Sequence, residues 1–203
     1  MNIRERLLSQ PAVFQAVKWL TLPRGGLEHI IADHLHVEDG SSVLDFGCGY
    51  GDYAAVIGNR CRYVGIDHNP RYIELAHAKN TGNDAVFFVA DVADPVVLDH
   101  GPYDLIMMSG VLHHLSSDVV AALAPVISGL LSRGGRFVAI EPVFTADQRL
   151  SARLVIASDR GRHVRDEDGY RQLLAAQFDS VETTIVSGML RIPYTHVVIS
   201  AQN

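Results

Sequence analysis

The chain has 203 residues, 48% of them hydrophobic and 20% charged, with a formal net charge of −6. Such a balance fits one folded domain with a sizeable core, excludes a disordered polymer, and gives a nucleic-acid backbone no general attraction. Two cysteines, Cys48 and Cys61, are too few for a disulfide framework and form no C-x-x-C pair, which points to a reducing compartment.

Residues 3–20 carry an apolar stripe at helical spacing that includes Phe14 and Trp19, with Pro11 at a break or a first turn. Gln15 and Lys18 interrupt this stretch, so it does not read as a signal peptide. No window approaches the roughly 20 apolar residues of a membrane span, and the expected location is cytoplasmic. Leu27 to Leu35 offers a second apolar helical face beside the first strand.

From Ser42 strands and helices alternate. Strands are expected at 42–46, 62–67, 85–90, 103–108 and 135–141, and helices at 53–59, 71–79 and 117–131. Short, continuously apolar strands spaced by helical runs require a parallel sheet covered on both faces. Glu141-Pro142 marks an irregular region, because residues before proline avoid the helical conformation. A helix at 167–177 then precedes strands at 181–186 and 195–201. Their short connection allows only an antiparallel hairpin, since a parallel crossover needs about a dozen residues. The expected fold is one α/β domain over 1–203, a doubly wound seven-stranded Rossmann-like sheet in three α/β/α layers, mostly parallel with a C-terminal antiparallel hairpin. It divides into leading helices (1–38), a cofactor-binding core (40–141), a segment suited to a substrate lid (142–166), and the last helix and hairpin (167–203).

The site is read around residues 43–54, where an apolar strand runs into Asp45 and then Gly47, Gly49 and Gly51. Glycines at such a turn permit positive φ and close approach of backbone to a ligand. Asp45, Asp67 and Asp91 fall at the carboxyl ends of the first three expected strands, the edge where open α/β sheets bind ligands. Asp67 stands 22 residues after Asp45, a spacing suited to an acid that accepts from a ribose diol. A dinucleotide fingerprint would place glycine where Asp52 stands. No Lys or Arg lies between Asp45 and Asn59 to offset that acid. The turn therefore suits a nucleoside carrying a cation or zwitterion rather than phosphates.

Val43 to Gly51 resembles the first motif of class I S-adenosylmethionine-dependent methyltransferases, D/E-x-G-x-G-x-G, at every fixed position. Residues 64–67, 89–92, 103–115 and 130–137 resemble the later motifs of that family. The resemblance implies S-adenosylmethionine as cofactor. It implies Asp45, Gly47, Gly49, Gly51 and Ser109 at its methionine end, Asp67 on the ribose, and His68, Asp91 and Val92 by the adenine. The activity it implies is methyl transfer to a small-molecule acceptor. Ser109-Gly110-Val111-Leu112 departs from the [N/D]-P-P-[Y/F/W] of amino-methylating nucleic-acid enzymes, which speaks against a nucleic-acid substrate.

His113 and His114 follow the fourth strand, where an imidazole suits a general base. Glu141 ends the fifth and is placed to meet an acceptor amine or to cap the next turn. Arg149, Arg153, Arg160, Arg162 and Arg165 cluster within 149–165, a pattern that suits an anionic group on the substrate or a solvated face paired with Asp166, Glu167 and Asp168. Tyr194 and Arg191, on the last loop, are substrate-wall candidates. No Cys, His or carboxylate spacing matches a metal site. Two other readings stand beside methyl transfer: an aminopropyl transferase on the same scaffold, which would need an acidic polyamine site, and a cofactor-binding regulatory subunit.

Overall fold

The computed structural model describes residues 20–158 and 161–203. The expectations for the leading stripe with Phe14 and Trp19, and for Arg160, lie outside the described residues. The described chain begins with α1 (Gly26–Ile30), which runs into a π-helical turn over Ile31–Leu35. Then follow β1 (Ser42–Phe46), α2 (Ala54–Ile57), β2 (Arg62–Asp67), α3 (Pro70–Lys79) and β3 (Val86–Val89). After these come α4 (Pro95–His100), β4 (Tyr103–Ser109), a 3-10 turn (Leu112–His114), α5 (Ser117–Leu130) and β5 (Leu131–Phe144). The chain closes with α6 (Leu150–Ala157), β6 (Arg165–Asp166), α7 (Glu167–Ala175), β7 (Ser180–Ser187) and β8 (Thr195–Gln202).

The sheet runs β3-β2-β1-β4-β5-β8-β7, with β6 paired on β5 away from this path. β1 to β5 pair in parallel, whereas β8 runs antiparallel to both β5 and β7. Strand order reverses between β1 and β4, so the carboxyl ends of these two strands open the crevice that doubly wound sheets use for ligands. Alternation within β1 shows how the layers form. Leu44 packs toward α4, α5 and α7 with Val97, Ile127 and Leu174, while Val43 packs toward α1, α2 and α3 with Ile30, Ile57 and Ile73. Local chemistry sets the helix starts. The Asn69 side chain accepts from Arg71 N at 3.0 Å with Pro70 at the first position of α3, and Asp166 accepts from Gly169 N at 2.8 Å to open α7.

Three features depart from the sequence reading. The stretch 92–102 contains a short helix, α4, announced by Asp94-Pro95 at its start. β5 does not stop at Glu141: it continues through Pro142 to Phe144, because Pro142 sits opposite His196 of β8 and Val143 opposite Arg165 of β6. The segment expected to act as a lid carries α6 and β6. α6 buries only Ala152 and Ile156 and leaves Leu150 and Leu154 open to solvent.

Candidate cofactor and acceptor site

The glycine turn is held onto β2. Gly47 N and Cys48 N both donate to Ile66 O, at 2.8 and 2.9 Å, and Gly51 N donates to Cys48 O at 3.0 Å. All three glycines have positive φ, but for different reasons. A Cβ on Gly47 would meet Val111 at 2.6 Å, and one on Gly51 would meet Asn80 at 2.6 Å and Phe87 at 2.9 Å. A Cβ on Gly49 would meet nothing within 4 Å. A side chain at Gly47 or Gly51 would thus clash, whereas Gly49 has room for one, and Gly47 and Gly49 border a cleft of about 90 Å³ that Asp45, Asp52, Tyr53 and Ser109 also line.

Asp45, at the switch point, is buried and accepts a hydrogen bond from Tyr63 Oη. Burial and then the Asp45 charge push the Tyr63 phenol well above its ordinary pKa, so it stays a donor. Asp67 is buried at the end of β2. Its Oδ2 accepts from Gly49 N at 3.2 Å and its Oδ1 from Asn69 N at 2.8 Å. Two amides leave this carboxylate with lone pairs for further donors. His68 lies beside it, its Nδ1 3.6 Å from Asp67 Oδ1 and its ring in solvent. Ser109 Oγ and Tyr53 Oη stand 3.1 Å apart at the end of β4. Burial pushes the Cys48 thiol far upward, and the carboxylates of Asp45, Asp67 and Asp52 push it further. The cleft therefore presents a negative field.

Two details revise the reading of this side. Lys79 of α3 pairs with Asp52, so a cation does reach the turn, although from another element. Asp91 is exposed, and its Oδ1 accepts from Val92 N at 2.7 Å. That amide, expected beside the adenine, is thus held by the neighbouring carboxylate.

On the other side of the crevice Glu141 is fully buried. Its Oε1 accepts from Val111 N and Leu112 N at 2.9 and 2.8 Å, and its Oε2 from His113 N at 3.2 Å and faces His113 Nδ1 at 2.6 Å. Of the two expectations for this carboxylate, an acceptor amine or the cap of the next turn, these bonds favour the second, because its oxygens are engaged by the chain itself. His113 is buried against it and His114 is exposed, their ring centroids 4.1 Å apart. Arg165 is likewise engaged by the chain. It donates to Leu112 O, His163 O and Leu115 O at 3.2, 2.9 and 2.9 Å. Arg149 caps α6 and Arg153 stands one turn further, its guanidinium 5.3 Å from the centroid of Phe144. Arg162 is exposed. Tyr194 packs on His196, ring centroids 4.8 Å apart. Tyr53, Tyr63 and Lys79 were invisible as site residues in the sequence, because their partners lie 56, 18 and 27 positions away.

Residues 43–135 match the model of a family described as a methyltransferase domain. The ribosomal protein L11 methyltransferase of Dechloromonas aromatica (strain RCB) is 30% identical over 103 residues, 50% of this chain and 32% of that protein. The chain thus spans about a third of the length of that curated relative. Among solved structures, the N-methyltransferase NodS from Bradyrhizobium japonicum WM9, in complex with S-adenosyl-L-homocysteine, superimposes with a TM-score of 0.70 at 18% identity, covering 98% of this chain and 95% of that one. Magnesium protoporphyrin IX methyltransferase from Synechocystis PCC 6803 gives a TM-score of 0.66 at 20% identity, covering 89% of this chain and 81% of that one.

Fold and site together define a doubly wound α/β domain with a glycine-lined, acidic crevice at its switch point. Within that fold residues 43–135 carry the methyltransferase-domain match, and the two solved methyltransferases share the fold.

Proposed function

We propose that the protein binds S-adenosylmethionine in the crevice between β1 and β4 and transfers its methyl group to a small-molecule acceptor. The observation that carries this reading is the pair of buried carboxylates, Asp45 and Asp67, beside a glycine whose missing side chain opens onto the cleft. A ligand bearing positive charge gains there, and a phosphate would be repelled. The enclosed space of about 90 Å³ suits the amino-acid end of the cofactor. Asp67 then takes the ribose hydroxyls on its remaining lone pairs, with His68, Asp91 and Val92 bordering the adenine on the open side.

Bound there, S-adenosylmethionine supplies an electrophilic methyl on a sulfonium. Alignment can lower the barrier by about 7–11 kcal/mol in favourable cases. Gly47, Gly49, Gly51, Asp45 and Ser109 fix the donor end. Glu141 sets the loop carrying His113 and His114. Where the acceptor must lose a proton, His113 is the base: with Nδ1–H directed at Glu141, its Nε2 carries the lone pair. The relatives' names point to acceptors as different as a ribosomal protein and magnesium protoporphyrin IX, so the acceptor is read from this chain. No helix among the described residues is long and apolar enough to cross a membrane.

Calorimetry tests the cofactor half directly. S-adenosylhomocysteine should bind, Asp67→Ala should weaken it at least tenfold, and ATP and NAD should not compete. Absence of binding by S-adenosylmethionine and its product would refute the reading.

A further inference from the structure

The carboxyl end of β5 holds two polar atoms that the fold buries and leaves without a hydrogen bond: Nδ1 of His196 and Oε1 of Gln148. Buried polar atoms are almost always paired, so each such atom asks for a partner the chain does not supply. Both residues are tied to one place. His196 stands opposite Pro142 in the β5–β8 ladder, and the Gln148 amide donates to Val143 O at 3.1 Å. Pro142 directly follows Glu141, which anchors the loop bearing His113. The orphaned pair therefore sits at the same strand end as the proposed transfer site. The Tyr194 ring packs on His196 with centroids 4.8 Å apart and adds a flat aromatic surface.

We propose that His196 and Gln148 form the polar part of the acceptor pocket, and that they receive a neutral, planar acceptor bearing a hydroxyl or N–H group, packed against Tyr194. The proposal rests on the reading of the crevice as the cofactor site and names the acceptor side of it. The Gln148 oxygen can only accept, so the ligand must donate to it. Burial, with His113 and His34 adding to it, lowers His196 to about 4, and the imidazole is neutral at physiological pH. It offers a ligand a dipole and no charge, which suits a neutral group better than a carboxylate.

The test uses His196→Phe, His196→Asn and Gln148→Leu in the full chain, with a probe set of simple phenols and heteroaromatic amines matched to their carboxylated counterparts. Conversion of S-adenosylmethionine is followed by mass spectrometry. Neutral members should be methylated in preference to carboxylated ones at the ring position nearest the donor. His196→Phe and Gln148→Leu should lose at least tenfold in kcat/KM, mainly through KM. His196→Asn, which keeps a polar atom near Nδ1, should stay within about threefold. S-adenosylhomocysteine affinity should not change in any variant. A second readout needs no acceptor: removing an orphaned buried nitrogen should raise the Tm of His196→Phe by ~2–4 °C, whereas a structural histidine would lower it.

Preference for the carboxylated compounds overturns the proposal. So does a KM unmoved by His196→Phe, or a set of which no neutral member reacts while S-adenosylhomocysteine binds. A Tm lowered in His196→Phe with unchanged kinetics would mean that ordered water and the fold use these atoms, and overturns it too. Loss of S-adenosylhomocysteine binding by the unaltered protein would instead strike the cofactor reading.

Discussion

Replacing Glu141 by Gln asks whether its carboxylate is a structural anchor or a group held for the substrate. The side chain is fully buried and accepts from the backbone amides of Val111, Leu112 and His113 while pairing with the His113 ring. Glutamine is nearly isosteric and keeps one accepting oxygen, which can serve the Val111 and Leu112 amides. Its NH2 group would then face the His113 N–H, donor against donor, with the charge gone. A hydrogen bond to a charged group contributes about 1.5–3 kcal/mol, and a buried donor left unpaired costs about 1–3 kcal/mol. Together these give a loss of about 3 kcal/mol. At ~2–4 °C per kcal/mol for a domain of this size, Tm should fall by ~6–12 °C. Differential scanning calorimetry reads this, and a parallel titration with S-adenosylhomocysteine should show affinity within about threefold of the original. A Tm within about 1 °C of the parent, with acceptor turnover abolished, would refute the anchor and return Glu141 to the substrate.

The glycine turn separates packing from binding. Gly47→Ala sets a methyl 2.6 Å from Val111 and should cost more than 2 kcal/mol in a thermal melt, whereas Gly49→Ala meets nothing within 4 Å and should cost only ~1 kcal/mol for its positive φ while weakening S-adenosylhomocysteine at least tenfold. Acid should weaken the fold through His196, whose pKa drops from 6.5 to about 4. Below pH 6.5 the unfolded chain takes up a proton that the native one refuses, so stability falls by about 2 kcal/mol between pH 7.5 and 5, and His196→Asn should flatten that slope in chemical denaturation at the two pH values. Burial pushes the Cys61 thiol from 9.0 up to about 11. Iodoacetamide at pH 8 should therefore leave the native protein unlabelled for hours; labelling within minutes would contradict the burial of that thiol.

The glycine turn and the strand ends around it were legible because local pattern determines them. An apolar strand, an acid and alternate glycines follow one another within ten positions, and β1, β2 and β4 lie where their apolar runs end. The acceptor side was not, because pairs distant in sequence build it. Glu141 meets the 3-10 turn from 28 to 30 positions away and Arg165 meets Leu112 from 53. From the sequence alone, a glutamate before proline and an arginine in a basic run both read as surface or substrate groups. α6 escaped notice for a different reason. With only Ala152 and Ile156 buried, its inward stripe is two residues deep, too thin for periodicity to distinguish it from a loop. The extension of β5 past Pro142 depends on pairing with β8 and β6, which no propensity within residues 142–144 encodes.

The loop after β4 is gripped by opposite chemistries from opposite sides. Glu141, on β5, takes its N–H groups, and Arg165, on β6, takes the carbonyls of Leu112 and Leu115. β6 is only two residues long, yet its pairing with Val143 and Phe144 delivers Arg165 to that loop. Tyr170 completes the clamp by donating to Pro142 O at 3.0 Å from α7. The segment 145–164 is therefore pinned at its far end to the loop that carries His113, and His163 N reaches His113 O at 3.0 Å. A change in that segment has a direct mechanical route to the imidazole, whereas the glycine turn is bonded to β2 and meets the loop only where Gly47 faces Val111. On the proposed reading, variation after β5 acts on the acceptor side chiefly through this loop, while the donor side is fixed by the bonds of the glycine turn to β2, a separation that lets one fold keep its cofactor and change its substrate.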